Sequence, residues 1–155
     1  MLKSIEGNFD NYEVNELLKK HFVELRAASP EGSAHVLDIL GLKVPSIKFW
    51  SLWNKEKLIG CGALKFLDKE HGEFKSIRIH DDFRMQGQGI NVINHLINEA
   101  KKLKIKKISI ETGASDFFIP ARKLFKKTGF IECEPFAHYK EDINSVYLTM
   151  LIDKS

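Results

Sequence analysis

Arg84-Met85-Gln86-Gly87-Gln88-Gly89-Ile90 is the segment whose residue types and spacing most directly suggest chemistry. Two glycines one residue apart open a run, Ile90, Ile93, Leu96, Ile97, Ala100 and Leu103, that repeats at helical spacing. A glycine loop turning straight into a helix aims several unpaired backbone N–H groups, and the positive end of the helix dipole, at one point. That arrangement suits a phosphate or pyrophosphate. A Walker A loop is excluded, because neither its glycine spacing nor its Lys-Ser/Thr pair is present. The dinucleotide fingerprint also fails: Val92 stands where its third glycine belongs, and nothing before residue 70 supplies the first βαβ unit.

The elements that must position this loop can be read on either side of it. Before it, Gly72 to His80 alternates in the manner of a half-buried strand. Lys3 to Glu6 reads as a short first strand, and Tyr12 to Ala28 as a helix with Val14, Leu17, Leu18, His21, Phe22 and Leu25 on one face, stopped by Ser29-Pro30. Ser33 to Leu40 reads as a second short helix behind Glu31-Gly32. Ile47 to Trp53 and Leu58 to Leu67 read as strands joined by a turn at Asn54 to Lys57, and a second turn leads to the strand holding Glu73 to Ile79. After the loop helix come a strand Lys107 to Glu111, a helix of about Phe118 to Lys127 ended by Thr128-Gly129, and strands Phe130 to Glu134 and Ser145 to Leu151. Trp50 and Trp53 fall on opposite faces of one strand, and core packing is their expected use.

Composition narrows the classes. At 155 residues the chain is expected to be one domain spanning 1–155, long enough to bury about two thirds of its unfolded surface. No apolar run approaches the ~20 residues of a membrane span, and the N-terminus lacks the apolar core of a signal peptide. Cys61 and Cys133 are too few and too far apart to suggest a disulfide framework or a zinc site, so no metal is expected. These features predict a cytoplasmic protein without a membrane partner. The net charge of +3 owes much to Lys101 to Lys107. Lysines there suit a helix C-terminus, and without interleaved aromatics they predict no nucleic-acid partner.

Arg/Gln-x-x-Gly-x-Gly/Ala at a strand-to-helix junction resembles the pyrophosphate loop of the GNAT N-acetyltransferase superfamily. Pro120-Ala121-Arg122-Lys123-Leu124-Phe125-Lys126-Lys127-Thr128-Gly129-Phe130 resembles a second segment of that superfamily, Ala-Arg-x-Leu-Tyr-x-x-x-Gly-Phe. The order β-α-α-β-β-β-α-β-α-β-β matches it over essentially the whole chain. Cys61-Gly62-Ala63-Leu64, Glu73-x-Lys75-Ser76, Glu111-Thr112-Gly113 and Pro135-Phe136-x-x-Tyr139 resemble a bacterial branch of uncharacterised members. The resemblance implies an α/β (α+β) fold with a mixed sheet of about seven strands, and acetyl-CoA as cosubstrate. It implies that Arg84, Met85, Gln86, Gly87, Gln88 and Gly89 hold the pyrophosphate, that backbone of Ile77, Arg78 and Ile79 meets the pantetheine arm in a gap between splayed strands, and that Arg122 contacts the coenzyme.

Acetyl transfer to an amine requires that the ammonium lose a proton and that the departing thiolate be neutralised. Glu73 lies eleven residues before Arg84, the spacing of the glutamate base in histone-acetylating members, and is the expected base. The superfamily's tyrosine acid falls at Phe125, which has no proton to give, and Phe118 stands where an asparagine is common. Tyr139, in the polar connection Phe136 to Asn144, is the better candidate acid of the remaining phenols, Tyr139 and Tyr147. For the acceptor, His35 and Asp38 would share a face of the second helix, and Glu111 would end a strand beside the gap. The predicted activity is N-acetylation of a small amine, amino acid or peptide by direct attack. The alternative is an acyl-CoA-binding domain whose chemistry has been lost at Phe125. A homodimer is compatible with the resemblance.

Overall fold

A computed structural model of the chain describes residues 1–152. Strand β1 (Lys3–Glu6) is followed by helices α1 (Tyr12–Ala28) and α2 (Ile39–Leu42), then strands β2 (Ile47–Asn54), β3 (Lys57–Phe66) and β4 (His71–Ile79). A 3₁₀ turn, Asp81–Phe83, leads to α3 (Gln88–Lys102), β5 (Lys107–Gly113), a second 3₁₀ turn Asp116–Phe118, α4 (Ile119–Lys127), β6 (Ile131–Glu132) and β7 (Ser145–Leu151). The strands form one sheet in the order β1-β2-β3-β4-β5-β7-β6, antiparallel throughout except between β4 and β5. The element order is the one expected.

Each face of the sheet carries its own apolar layer. Trp50, Leu52, Ile59, Leu64, Phe74, Ile108, Ile110 and Leu148 pack on one face with Val92, Ile93, Leu96 and Ile97 of α3 and with Phe125 and Phe130. Phe49, Trp53, Leu58, Cys61 and Ala63 pack on the other face with Val14, Leu17 and Leu18 of α1 and Leu42 of α2. Trp50 and Trp53 therefore serve the two cores, as their spacing predicts. Asn11 caps α1 by accepting from the Val14 N–H at 3.1 Å, and Ser29-Pro30 ends it because the residue before proline is driven out of the helical region.

Three local expectations are corrected. No helix spans Ser33 to Leu40: residues 33–38 are irregular and the helix is the single turn Ile39–Leu42. The start signal belongs to Asp38, whose carboxylate accepts from the Gly41 N–H at 2.8 Å, whereas the Ser33 hydroxyl is drawn away to Asp142 at 2.6 Å. His35 and Asp38 consequently do not share a helical face. β4 also does not alternate throughout. Cys61 pairs with Arg78 but Ala63 with Lys75, so β4 carries an extra residue opposite Gly62, and Ser76 is left-handed at φ 55. The bulge changes the phase of the strand: Phe74, Ile77 and Ile79 face the α3 side, while Glu73, Lys75 and Arg78 face the α1 side. β6 is shorter than predicted, two residues in place of five.

Candidate active site

β4 and β5 pair only from His71–Glu73 to Lys107–Ser109. Beyond that point the ladder ends while both strands continue, to Ile79 and to Gly113, and a gap opens between them. The backbone of Ile77, Arg78 and Ile79 lies on the lip of this gap, its opposite edge joined to β3 through Gly60–Ile79 and Cys61–Arg78. A strand edge left open in this way accepts an extended arm as an added strand would be accepted.

At the same end of β4 the glycine loop enters α3. Gly87 is the N-cap at φ 78, a left-handed conformation that a side chain strains, and it offers no capping side chain to the first N–H groups. A Cβ added at Gly87 would meet nothing within 4 Å, so the space in front of the helix is open. A Cβ at Gly89, by contrast, would lie 2.6 Å from Leu124 Cδ2, so this glycine seats α3 against α4. Met85 is 99 % exposed at φ 63. Gln86 donates to Asp82 O at 2.9 Å and Gln88 accepts from Asn91 at 3.3 Å, two bonds that brace the loop. Asp81 is the hub behind it, bonded to Lys20 of α1, to Arg78 Nη2 at 3.2 Å and to Arg84 Nε at 3.2 Å. The hydrogen bond from Lys20, reinforced by the two guanidinium groups, holds its carboxyl below the ordinary range. Arg84 thus rests beside the loop, and Arg78 reaches across to Glu24 of α1 at 2.9 Å. Free helix N–H groups, an open cradle and a guanidinium at its edge fit the pyrophosphate of a coenzyme.

The α1 side of β4, β5 and β7 carries a polar floor. Glu73, 2 % exposed, accepts the Tyr139 hydroxyl at 2.6 Å and the Lys75 ammonium at 3.3 Å, both through Oε2. Lys75 also donates to the Tyr139 oxygen at 3.1 Å, and its side chain is only 9 % exposed. Burial first, and the Glu73 carboxylate second, push the Tyr139 phenol far above its ordinary range, so it keeps its proton. His35 stands edge-on to Tyr139, with ring centroids 5.0 Å apart. Glu111 of β5 accepts from the Ser145 hydroxyl at 2.8 Å, and burial raises its carboxyl above the ordinary range. Leu25, Ser33, His35, Val36, Glu111 and Phe118 are among the residues bounding a small cleft that opens to solvent here.

The predicted residues thus separate into groups. Glu73, Tyr139, His35 and Glu111 share one polar floor, and Arg84, Met85, Gln86, Gly87, Gln88 and Gly89 form one loop. Asp38 stays outside the floor as an exposed helix cap. Arg122 spends its Nη1 on the carbonyls of Gly113 at 2.7 Å and Ser115 at 2.9 Å, fixing the segment after β5. Phe125 is buried against Phe130 on the α3 side, so a hydroxyl there would enter the core layer. Lys75 was missed as a site residue. A residue two from Glu73 on a strand points the same way, but the meeting of Lys75 with Tyr139 is a long-range contact that the strand alone does not reveal.

Comparison with known proteins gives the family. Residues 12–130 match the Acetyltransferase (GNAT) family. The chain is 44 % identical over 137 residues to the uncharacterized N-acetyltransferase YsnE of Bacillus subtilis (strain 168), covering 88 % of this chain and 91 % of that one. It is 37 % identical over 139 residues to the uncharacterized N-acetyltransferase YedL of Escherichia coli (strain K12), covering 90 % and 87 %. Among solved structures, a Bacillus subtilis acetyltransferase in complex with CoA has the same fold, with a TM-score of 0.67 at 20 % identity over 97 % of this chain and 99 % of that one. The open strand edge, the glycine-capped helix and these matches lead to one assignment: the chain belongs to the acetyltransferase (GNAT) family, and is an acyltransferase that draws on acetyl-CoA.

Proposed function

We propose that the protein acetylates the primary amine of a small acceptor by direct attack in a ternary complex, with Glu73 as base and Tyr139 as acid. Acetyl-CoA supplies the activated acyl thioester. The first N–H groups of α3 and Arg84 bind its pyrophosphate, and the free edge of β4 at Ile77 to Ile79 binds the pantetheine arm. Glu73 takes a proton from the acceptor ammonium, so that the nitrogen lone pair can attack. Tyr139 gives its proton to the departing sulfur. The 2.6 Å hydrogen bond then lets Glu73 return the acceptor's proton to the phenolate, which Lys75 stabilises while it lasts. The second proton lost by the attacking nitrogen leaves to solvent as the tetrahedral adduct collapses to the amide, so both catalytic groups end in their starting states.

The observation that carries this reading is the Tyr139–Glu73–Lys75 cluster beside the end of the β4–β5 ladder. A hydroxyl kept protonated and bonded to a buried carboxylate supports an intact proton path despite Phe125, and weighs against a coenzyme-holding domain without chemistry. A covalent acyl-cysteine route has little support: Cys61 is fully buried, and its thiol is pushed up to about 12 by burial, so it is not a nucleophile near neutral pH.

The test is free-thiol release from acetyl-CoA with a panel of amines, amino acids and short peptides, after coenzyme binding has been established by thermal shift. Turnover with a small amine is the expected result. Coenzyme binding without turnover on any acceptor would return the protein to the binding-domain reading.

A further inference from the structure

Within the N-acetyl-transfer reading, on which this step rests, the polar floor also limits the acceptor. Glu73 and Ser109 are the last paired residues of β4 and β5, and strand periodicity puts Lys75 and Glu111 two residues further along, on the same face, on opposite lips of the gap. The attacking nitrogen must approach Glu73, so Glu111 stands across from it. These lips carry two carboxylates and one ammonium. Lys75 is already engaged by Glu73 and Tyr139, so an incoming carboxylate would have to displace one of them. His35 also stands at the rim, its ring perpendicular to that of Tyr139.

The roof above this floor is closed by specific bonds. Ser33 donates to Asp142 at 2.6 Å and Asn144 Nδ2 donates to Ser33 Oγ at 3.3 Å, tying the segment after α1 to the connection before β7. The same connection is held to β5 by the Ala114 N–H donating to Asn144 O at 2.9 Å. What stays open is the cleft beside Glu111, whose apolar wall is Leu25, Val36 and Phe118. A bound polypeptide would need this latch undone; a small molecule would not.

We infer that the acceptor is a small primary amine with an apolar body and no carboxylate beside its nitrogen, and that Glu111 selects it by pairing with its ammonium. A carboxylate on the adjoining carbon would be set between Glu73 and Glu111, where Lys75 is already engaged, and like charges repel strongly in a desolvated site. The raised carboxyl of Glu111 is consistent with a group that lacks a sufficient cationic partner until an ammonium arrives.

The test uses pairs that differ only in the carboxylate: phenethylamine with phenylalanine, and isopentylamine with leucine. Binding to the CoA-loaded protein is measured by calorimetry. Each amine is expected to bind at least tenfold more tightly than its amino acid, and E111Q should weaken amine binding about tenfold while CoA affinity stays as it was. Equal or tighter binding of the amino acids overturns the inference, as does binding of neither member of a pair. Unaltered amine binding in E111Q removes Glu111 from the selection, and retained CoA binding shows that the variant is folded. The same pairs are then assayed for thiol release from acetyl-CoA. An amine that binds but releases no thiol overturns acetyl transfer and leaves the acceptor class standing, so the two failures are distinguishable.

Discussion

At the scale of single residues, the polar side chains on the α1 face hold protons in fixed places. Tyr139 keeps its proton because burial and Glu73 both oppose the phenolate, and Glu73 is held by the two groups that would complete its cycle. Glu73→Gln is therefore expected to lower turnover about a hundredfold at neutral pH, with acetyl-CoA affinity retained. Part of the loss should return at high pH, where the acceptor amine deprotonates without help. A turnover unchanged at pH 7 would remove Glu73 from the mechanism. His21 gives a second residue-scale expectation, now for stability. It is buried in α1 with Nδ1 unpartnered, and burial, aided by Arg78 and then Arg84, depresses its pKa from 6.5 to about 3. The unfolded chain takes up this proton below pH 6.5 and the native chain does not. The stability contribution is thus complete above 6.5 and falls by about 1.4 kcal/mol per pH unit as the pH drops towards 3. Urea unfolding of His21→Leu at pH 7 and pH 5 should show a smaller acid loss than the parent chain; equal losses would exclude His21 as the acid-sensitive group.

At the scale of elements, two irregularities shape the candidate coenzyme site. The β4 bulge at Ser76 turns Arg78 toward α1 and leaves Ile77 and Ile79 packed against the α3 core where the strand loses its β5 partner. The left-handed Gly87 starts α3 without a side-chain cap, leaving its first N–H groups to a ligand. Gly87→Val would put a branched side chain in the cradle and strain the φ of 78. The expected result is loss of the acetyl-CoA-dependent thermal shift in a protein that still unfolds cooperatively, and undiminished coenzyme affinity would sink the loop assignment. The Asp81 hub makes the loop answer to α1 as well, because Lys20, Arg78 and Arg84 converge on one carboxylate.

At the scale of the whole molecule, the proposed acceptor site depends on segments far apart in sequence that close over the β4–β5 gap. Ser33 and Asp142 are the link, and the Ser33 hydroxyl bond, followed by the Asn144 N–H, keeps the Asp142 carboxyl below its ordinary range. Asp142→Ala should free the roof and raise the acceptor KM several-fold while the acetyl-CoA KM is unchanged, as steady-state kinetics in each substrate would show. Equal rises in both constants would instead indicate a disturbed fold.

Local signals account for what the residue order alone could reveal. Periodicity and caps marked ten of the eleven elements close to their observed positions, because amphipathic faces and stops such as Ser29-Pro30 act within a few residues. The glycine loop was legible for the same reason: a helix start and a left-handed turn are written in adjacent residues. Glu73 was singled out by its spacing from the loop within the family resemblance, and Tyr139 by its place in a polar connection, without any means of seeing that they touch. Three features needed the tertiary structure. The segment 33–38 is not helical because Ser33 bonds to a residue over a hundred positions away, which outweighs a weak local preference. The β4 bulge arises from pairing with β3, whose register no single strand reveals. Lys75 joined the site because that register, and the return of the chain before β7, brought Tyr139 above it. Short-range preference wrote the elements, whereas the chemistry depends on long-range contacts that only folding brings together.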